Sequence, residues 1–154
     1  MPMNVRKHRG FTLIEIVVAV ALVAILAAVT IAILDPVKQF AKGRNTQRWA
    51  NINEILQAVG QNAADNRGSF SCAAGPIPTT TARMAVTAGN YNIAPCLVPV
   101  YLPNLPFDPA TTSAHYASVA DYNTGYAIAQ SSTTGRISVS APAAELGQNI
   151  SVTR

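Results

Sequence analysis

The sequence predicts an α+β protein in which one long N-terminal helix packs against a small antiparallel C-terminal sheet. Residues 11–34 form an almost uninterrupted apolar run, and residues 37–64 repeat apolar side chains every three to four positions. The residues from 115 onward fall into short runs that alternate apolar and polar side chains. The first half of the helix is therefore expected to be transmembrane, and the second half to be amphipathic with one face on the sheet.

The apolar run holds 24 residues and one ionisable side chain, Glu15. Its last 19 residues contain a single polar side chain, Thr30. At ~1.5 Å rise per residue these residues span roughly 29 Å as a helix, which is the thickness of a bilayer core. A carboxylate inside such a span costs about 2.5 to 3.5 kcal/mol on insertion scales, so Glu15 is expected to have a partner or a role.

A short basic segment precedes the apolar run, and it consists of Arg6, Lys7, His8 and Arg9, followed by Gly10. This charge favours a cytoplasmic N-terminus, so the chain beyond Leu34 is predicted to be exported. An ordinary secretory signal peptide is one alternative, but the apolar block is too long for its hydrophobic region and contains Glu15. A plain membrane anchor explains the length of the block but not the spacing from glycine to glutamate.

The segment Gly10-Phe11-Thr12-Leu13-Ile14-Glu15 resembles the class III signal sequence of type IV pilins and type II secretion pseudopilins. The resemblance implies a pilin fold, with a prepilin peptidase that cuts after Gly10 and methylates the nitrogen of Phe11. It also implies that the new terminal amine pairs with Glu15, in the same chain or in a neighbouring subunit, and so fixes the register of assembly. An inner-membrane platform protein and a cytoplasmic assembly ATPase are the further partners that it implies.

Changes in composition divide the chain into five segments. They are a cleaved leader (1–10), the transmembrane or assembly half of the helix (11–35), its amphipathic half (36–64), a helix-to-sheet connection (65–109) and the sheet (110–154). Asp35-Pro36 predicts a kink or local break between the two halves of the helix, because proline removes a hydrogen-bond donor and clashes with the preceding turn.

The amphipathic half is predicted to bury one face and to leave the other face in water. The residues predicted to be buried are Trp49, Ile52, Ile55, Leu56, Val59 and Ala63. The residues predicted to be exposed to solvent are Lys38, Lys42, Arg44, Arg48, Asn51 and Gln61. Four cationic residues beside Trp49 are weak support for nucleic-acid binding. Solvated helix surface or contact with anionic lipid headgroups is the interpretation that we prefer.

Two cysteines, Cys72 and Cys96, lie on the predicted exported side, where thiols are normally oxidised. We expect them to form a disulfide. Neither cysteine has a second cysteine or histidine at zinc-finger spacing, so a metal site is the weaker alternative, and free thiols are the other.

The segment from Tyr101 to Pro109, YLPNLPFDP, is similar to the segment that precedes the sheet in major pseudopilins. Those relatives hold a calcium ion in a C-terminal loop. Asp108, Asp121 and Asn123 are weak candidates for oxygen ligands here, although turn-forming roles suit these residues better.

Short alternating runs after the connection predict an antiparallel sheet of three or four strands. The runs are Tyr116–Tyr122, Gly125–Gln130, Arg136–Ser140 and Asn149–Thr153, with turns at Asn123–Gly125 and Ser131–Gly135.

The sequence is poor in the converging titratable groups that an enzyme requires, and it has neither a glycine-rich phosphate loop nor a GxSxG elbow. We therefore expect no catalysis and no cofactor other than weakly supported calcium. Charged residues make up 12% of the chain, which suits a subunit that buries its surface against copies of itself.

Three functions remain open at this point: a type IV pilin that polymerises into a surface filament, a pseudopilin of a type II secretion system, and a membrane-anchored binding module that never polymerises. The first two predict a single-pass protein of the cytoplasmic membrane before assembly. For a pilin, the predicted location after assembly is a filament at the cell surface or outside the cell.

Overall fold

The computed structural model describes residues 10–154, which divide into an N-terminal unit ending at Gln39 and a C-terminal unit, Phe40–Arg154. The helices are α1 (Leu13–Leu34), α2 (Pro36–Asp65) and α3 (Ala94–Leu97). The strands are β1 (Ala82–Ala85), β2 (His115–Ser118), β3 (Asp121–Gln130), β4 (Ile137–Ala141) and β5 (Ile150–Thr153). The predicted α+β class, with N-terminal helices and a small antiparallel sheet, is confirmed.

Helix α1 begins where the sequence changes from polar to apolar. The hydroxyl of Thr12 caps the helix by accepting the backbone N–H of Glu15 at 3.3 Å. The helical segment Leu13–Ile31 is long and apolar enough to cross a membrane, and none of it is buried within the chain. The predicted apolar helix of spanning length is therefore confirmed by length and composition.

The predicted break at Asp35-Pro36 is confirmed, because a single residue separates α1 from α2. Asp35 has a φ of 40°, the left-handed conformation that ends α1. Its carboxylate accepts the backbone N–H of Lys38 at 3.4 Å and forms an ion pair with the Lys38 ammonium group at 2.9 Å. Pro36 then starts α2, in a position where its missing N–H removes no helical hydrogen bond.

The sheet is antiparallel and has the order β1-β3-β4-β5, with β2 also pairing with β3. Strand β3 is the longest strand, and it buries Tyr122, Thr124, Tyr126 and Ile128. The inner face of the sheet and the apolar face of α2 share one hydrophobic core. This core places the polar residues of α2 against the loops that flank the sheet.

The predicted apolar face of α2 is largely confirmed, since Ile52, Ile55, Leu56 and Val59 are all buried. The prediction was wrong for Trp49, whose side chain is 40% exposed. It was also wrong for two residues assigned to the wet face, because Arg48 and Asn51 are both buried. The physical reason is that both side chains find polar partners outside the helix.

Within residues 10–154 the sheet has five strands rather than the predicted three or four. The additional strand, β1, lies in the segment predicted to be a loop-rich connection, and it pairs with β3 through Ala82 opposite Ile128 and Arg83 opposite Ala127. The turn predicted at Ser131–Gly135 joins β3 to β4 as expected. The turn predicted at Asn123–Gly125 was wrong, because these residues lie within β3 and residues 119–120 connect β2 to β3.

Gly125 explains why a turn composition occurs inside a strand. It has a φ of +74°, and a Cβ atom at this position would lie 2.9 Å from the Cβ of Asp108. A glycine is therefore required by the close approach of the loop carrying Asp108, and no chain reversal is involved.

The predicted disulfide is confirmed, with Cys72 bonded to Cys96 and a Cα–Cα distance of 5.2 Å. Asn62 of α2 lies next to both cysteine segments. Its amide nitrogen donates to the carbonyls of Ser71 at 3.1 Å and Cys96 at 3.2 Å, and its oxygen accepts the Ser71 N–H at 2.8 Å. The disulfide and this amide together attach the connection to the end of α2.

Replacing both cysteines by serine is expected to lower the free energy of unfolding by about 3 to 4 kcal/mol, because the bond closes a long loop in the unfolded chain. The sequence separation of the two cysteines is 24. Urea unfolding of the full chain in detergent, followed by tryptophan fluorescence, measures the loss. Ser69→Ala, an exposed change in the same segment, is the control. Equal stability of the serine variant and the wild type would contradict the expectation.

Candidate functional site

The predicted processing site lies at the start of the described chain. Gly10, Phe11 and Glu15 are all exposed, and with Thr12 they line one shallow depression. A Cβ atom on Gly10 would meet nothing within 4 Å, so the fold of the chain itself does not require glycine there. The basic residues Arg6, Lys7, His8 and Arg9, and the rest of the predicted leader before Gly10, lie outside the described residues.

Glu15 lies in the first turn of α1, and its side chain has no hydrogen-bond or ion-pair partner among the described residues. In the uncut chain, the nitrogen of Phe11 belongs to a peptide bond and carries no charge. The partner expected for Glu15 therefore does not exist until the chain is cut. An unpaired carboxylate at the start of an apolar helix is the feature that calls for such a partner.

A second polar site, in the C-terminal unit, joins α2 to two distant loops. Arg48 and Asp108 are both fully buried, and they form a two-pronged ion pair. The guanidinium Nε lies 2.6 Å from Oδ2 and Nη2 lies 3.1 Å from Oδ1. The remaining terminal nitrogen, Nη1, donates to Glu145 Oε2 at 2.7 Å and to Asn45 Oδ1 at 2.8 Å. Arg48 thus binds two carboxylates, Asp108 and Glu145, that lie 60 and 97 positions further along the chain.

Glu145 is held from several directions by α2. Arg44 donates its Nε to Oε2 at 2.7 Å, and the side chain of Asn45 bonds both the N–H and the C=O of Glu145, at 3.0 and 2.8 Å. We refer to Arg44, Asn45, Arg48, Asp108 and Glu145 as the arginine cluster. The cluster fixes the loop before β5 and the loop before β2 on the same helix.

The charges of the arginine cluster shift its pKa values in the directions that favour ionisation. Burial alone would raise the pKa of Asp108, but the Arg48 guanidinium and the N–H groups of Ala110 and Thr111 outweigh it and lower that pKa. Arg44, and then Arg48, lower the pKa of Glu145 to about 2. The hydrogen bond to Asp108 raises the pKa of Arg48.

These directions set the response of the cluster to acid. The folded pKa of Glu145 lies below its ordinary value of 4.5, so its contribution to stability is complete above that value and is lost as the pH falls toward 2. The pKa of Asp108 is also lowered, so the contribution of Asp108 to stability is likewise lost as the pH falls. The cluster is thus a fully ionised structural clamp at neutral pH.

Each of the three calcium candidates accepts a hydrogen bond from within the protein. Both carboxylate oxygens of Asp108 accept hydrogen bonds from the protein, and Asp121 accepts from the imidazole Nε2 of His115 at 3.0 Å. The Asn123 oxygen accepts the N–H of Gly125 at 3.0 Å. Residues 10–154 contain no group of three His, Cys, Asp or Glu side chains that could hold a metal ion.

Sequence reasoning missed the arginine cluster, although one signal was present. Arg48 lies four residues before Ile52 and seven before Ile55, so it occupies the same helical stripe as the buried residues. A charged residue on the buried face of a helix indicates that a partner of opposite charge is buried beside it, and not that this face is exposed to solvent. The cationic residues are also less available to nucleic acid than predicted, since Arg44 and Arg48 are both ion-paired.

Comparison with known families identifies the N-terminal segment. Residues 5–31 match the family model described as the prokaryotic N-terminal methylation motif. This motif is a class III signal, and it marks type IV pilins and pseudopilins. The predicted resemblance is therefore confirmed, and the motif indicates a prepilin of the type IV pilin or pseudopilin kind, which is a structural class of protein. Neither a curated protein nor a solved structure matches the chain.

Proposed function

We propose that this chain is a prepilin that is cut after Gly10, methylated on Phe11, and polymerised into a type IV pilus-like filament. The observation that carries the proposal is the methylation motif at the head of an apolar helix whose large side chains are exposed along its length. Such a surface is stable only in lipid or against other apolar surfaces. A membrane covers it before assembly, and copies of the same helix cover it afterwards.

The proposed partners follow from this scheme. A prepilin peptidase and methyltransferase acts on the residues at the start of the described chain, where Gly10 and Phe11 are exposed. An inner-membrane platform protein and a cytoplasmic ATPase then move the subunit from the membrane into a growing filament. The finished filament lies at the cell surface or outside the cell.

Mass spectrometry of the exported protein tests the processing step. We expect the mature chain to begin at Phe11 and to carry one additional methyl group on its terminal nitrogen. Gly10→Val is expected to leave the leader attached, because the added side chain would block the peptidase. A first residue other than Phe11 would refute the proposed pairing with Glu15, and an intact leader on the exported protein would favour a membrane-anchored module that does not polymerise.

A pseudopilin of a type II secretion system is the second candidate, and the segment Leu105-Pro106-Phe107-Asp108-Pro109 favours it. Electron microscopy of material sheared from cells separates the two candidates, since long surface filaments are expected only for the pilin. Stability that depends on calcium would favour the pseudopilin.

A further inference from the structure

The segment from Leu102 to Pro109 repeats every third residue. Leu102, Leu105 and Asp108 are buried, whereas Pro103 and Pro109 are exposed and Pro106 is half-buried. Three residues per turn is the period of the polyproline II helix, although the chain bends at residues 103–104 and 109–110 and runs without a turn or bend at residues 105–108. We refer to Pro103, Pro106 and Pro109 as the proline ridge.

The proline ridge runs alongside α2 in the opposite direction. Near its end, Asp108 pairs with Arg48, and the carbonyl of Phe107 accepts the Asn51 amide at 3.1 Å. Before its start, burial and then the nearby Asp65 carboxylate raise the pKa of Tyr101, and Asp65 lies fourteen residues further along α2 than Asn51. Between helix and ridge lies an open groove of about 460 Å³, and its helical wall consists of Gln47, Asn51 and Glu54.

Trp49 lies on the other flank of α2. At 100° per residue it is about 160° around the helix from Asn51, so the buried face separates it from the groove. It is the single tryptophan of the chain, and its side chain is 40% exposed. A large aromatic side chain exposed on one flank and an apolar proline ridge on the other are complementary surfaces, because segments with prolines at PxxP spacing dock on aromatic side chains.

The two flanks also differ in charge. Lys42, two helical turns before Trp49, is exposed on the same flank. Glu54 is exposed on the flank that carries the groove. Within residues 10–154, neither charge forms an ion pair. The tryptophan flank is thus positive and the groove flank is negative.

We infer that a second copy of this chain occupies the groove, with Trp49 of one copy on the proline ridge of the next and Lys42 facing Glu54. Parallel helices staggered by 12 residues, about 18 Å, would align these charges. The same stagger places Trp49 of one copy beside residue 61 of the next copy, which lies toward the Pro103 end of the proline ridge. The pairing of Lys42 with Glu54 and the placement of Trp49 on the proline ridge are therefore satisfied by the same stagger. This arrangement deepens the proposed function and rests on it.

The interface joins two different surfaces of the subunit. Such a heterologous contact leaves one free flank of each kind at the two ends of any assembly, so it propagates instead of closing into a dimer. This is the type of contact that a filament requires between its globular units, in addition to the packing of its apolar helices.

Charge reversal tests the inference. Lys42→Glu and Glu54→Lys are each expected to lower the yield of sheared filament about tenfold, because like charges would face each other. The double variant restores opposite charges and should recover the yield. Arg136→Glu, an exposed reversal on the sheet side, is the control and should assemble normally. Full yield from both single variants, or no recovery in the double variant, would overturn the inference.

Tryptophan fluorescence provides a second readout. Because Trp49 is the single tryptophan, emission from filaments should shift to shorter wavelength than emission from subunits solubilised in detergent. Trp49→Ala should lower the yield about tenfold, while Trp49→Phe should retain most of it. Unshifted emission and a normal yield of Trp49→Ala would overturn the interface but leave the polymer intact. Absence of filaments from the wild type would instead refute the proposed function itself, and the interface with it.

Discussion

Replacing Arg48 by methionine is expected to lower the free energy of unfolding by about 3 to 5 kcal/mol, the cost typical of leaving a buried charge without its partner. Asp108 is fully buried, and Arg48 supplies two of the hydrogen bonds to its carboxylate. The N–H groups of Ala110 and Thr111 remain after the change, but they carry no full charge to offset the carboxylate.

Urea unfolding of the full chain in detergent, followed by Trp49 fluorescence, measures the effect. Arg44→Met is the matched control, since Arg44 lies on the same helix and binds the same Glu145, yet is about one-third exposed. Its loss of stability should be much smaller, because water screens exposed ion pairs.

A double variant separates charge from packing. Asp108→Asn removes the charge but keeps an oxygen that accepts the two loop N–H groups. Arg48→Met with Asp108→Asn should therefore be more stable than Arg48→Met alone. If the double variant were the less stable of the two, the uncompensated charge could not be the cause of the loss.

Local patterns were sufficient to predict α1 and α2, the break at Asp35-Pro36 and most of the strands, but not the short helix α3. Apolar periodicity depends on neighbours three or four residues away, and a helix-breaking proline acts on the preceding turn. The disulfide was also predictable, because export places Cys72 and Cys96 in an oxidising compartment. These features need no knowledge of which distant segments meet.

The errors involve partners far apart in the chain. Arg48 was assigned to the wet face, since nothing near it in sequence shows that Asp108 lies opposite. Strand β1 is four residues long and is stabilised by pairing with β3, so its own sequence carries little signal. Gly125 suggested a turn, whereas the approach of the Asp108 loop requires it. In each case tertiary contact decided the outcome.

Replacing Glu15 by alanine is expected to permit export and cleavage but to reduce the filament yield about a hundredfold or more, consistent with the cost of an unpaired buried charge. Cleavage creates a terminal amine on Phe11 at the start of an apolar helix. In a filament this amine would be surrounded by other apolar helices, where only a carboxylate at the spacing of Glu15 offsets its charge. The measurement is the yield of sheared filament at equal levels of processed subunit.

Thr30→Ala is the matched control, because Thr30 is the single polar residue in the last 19 residues of the apolar run. Its hydroxyl donates to the carbonyl of Leu26 at 2.8 Å, so its hydrogen bond is satisfied within its own helix and its loss should leave assembly unchanged. Glu15→Gln distinguishes charge from size, since it keeps the volume and removes the carboxylate. If charge pairing sets the register, the glutamine variant should fail as the alanine variant does; wild-type yield from either variant would show that the amine needs no partner.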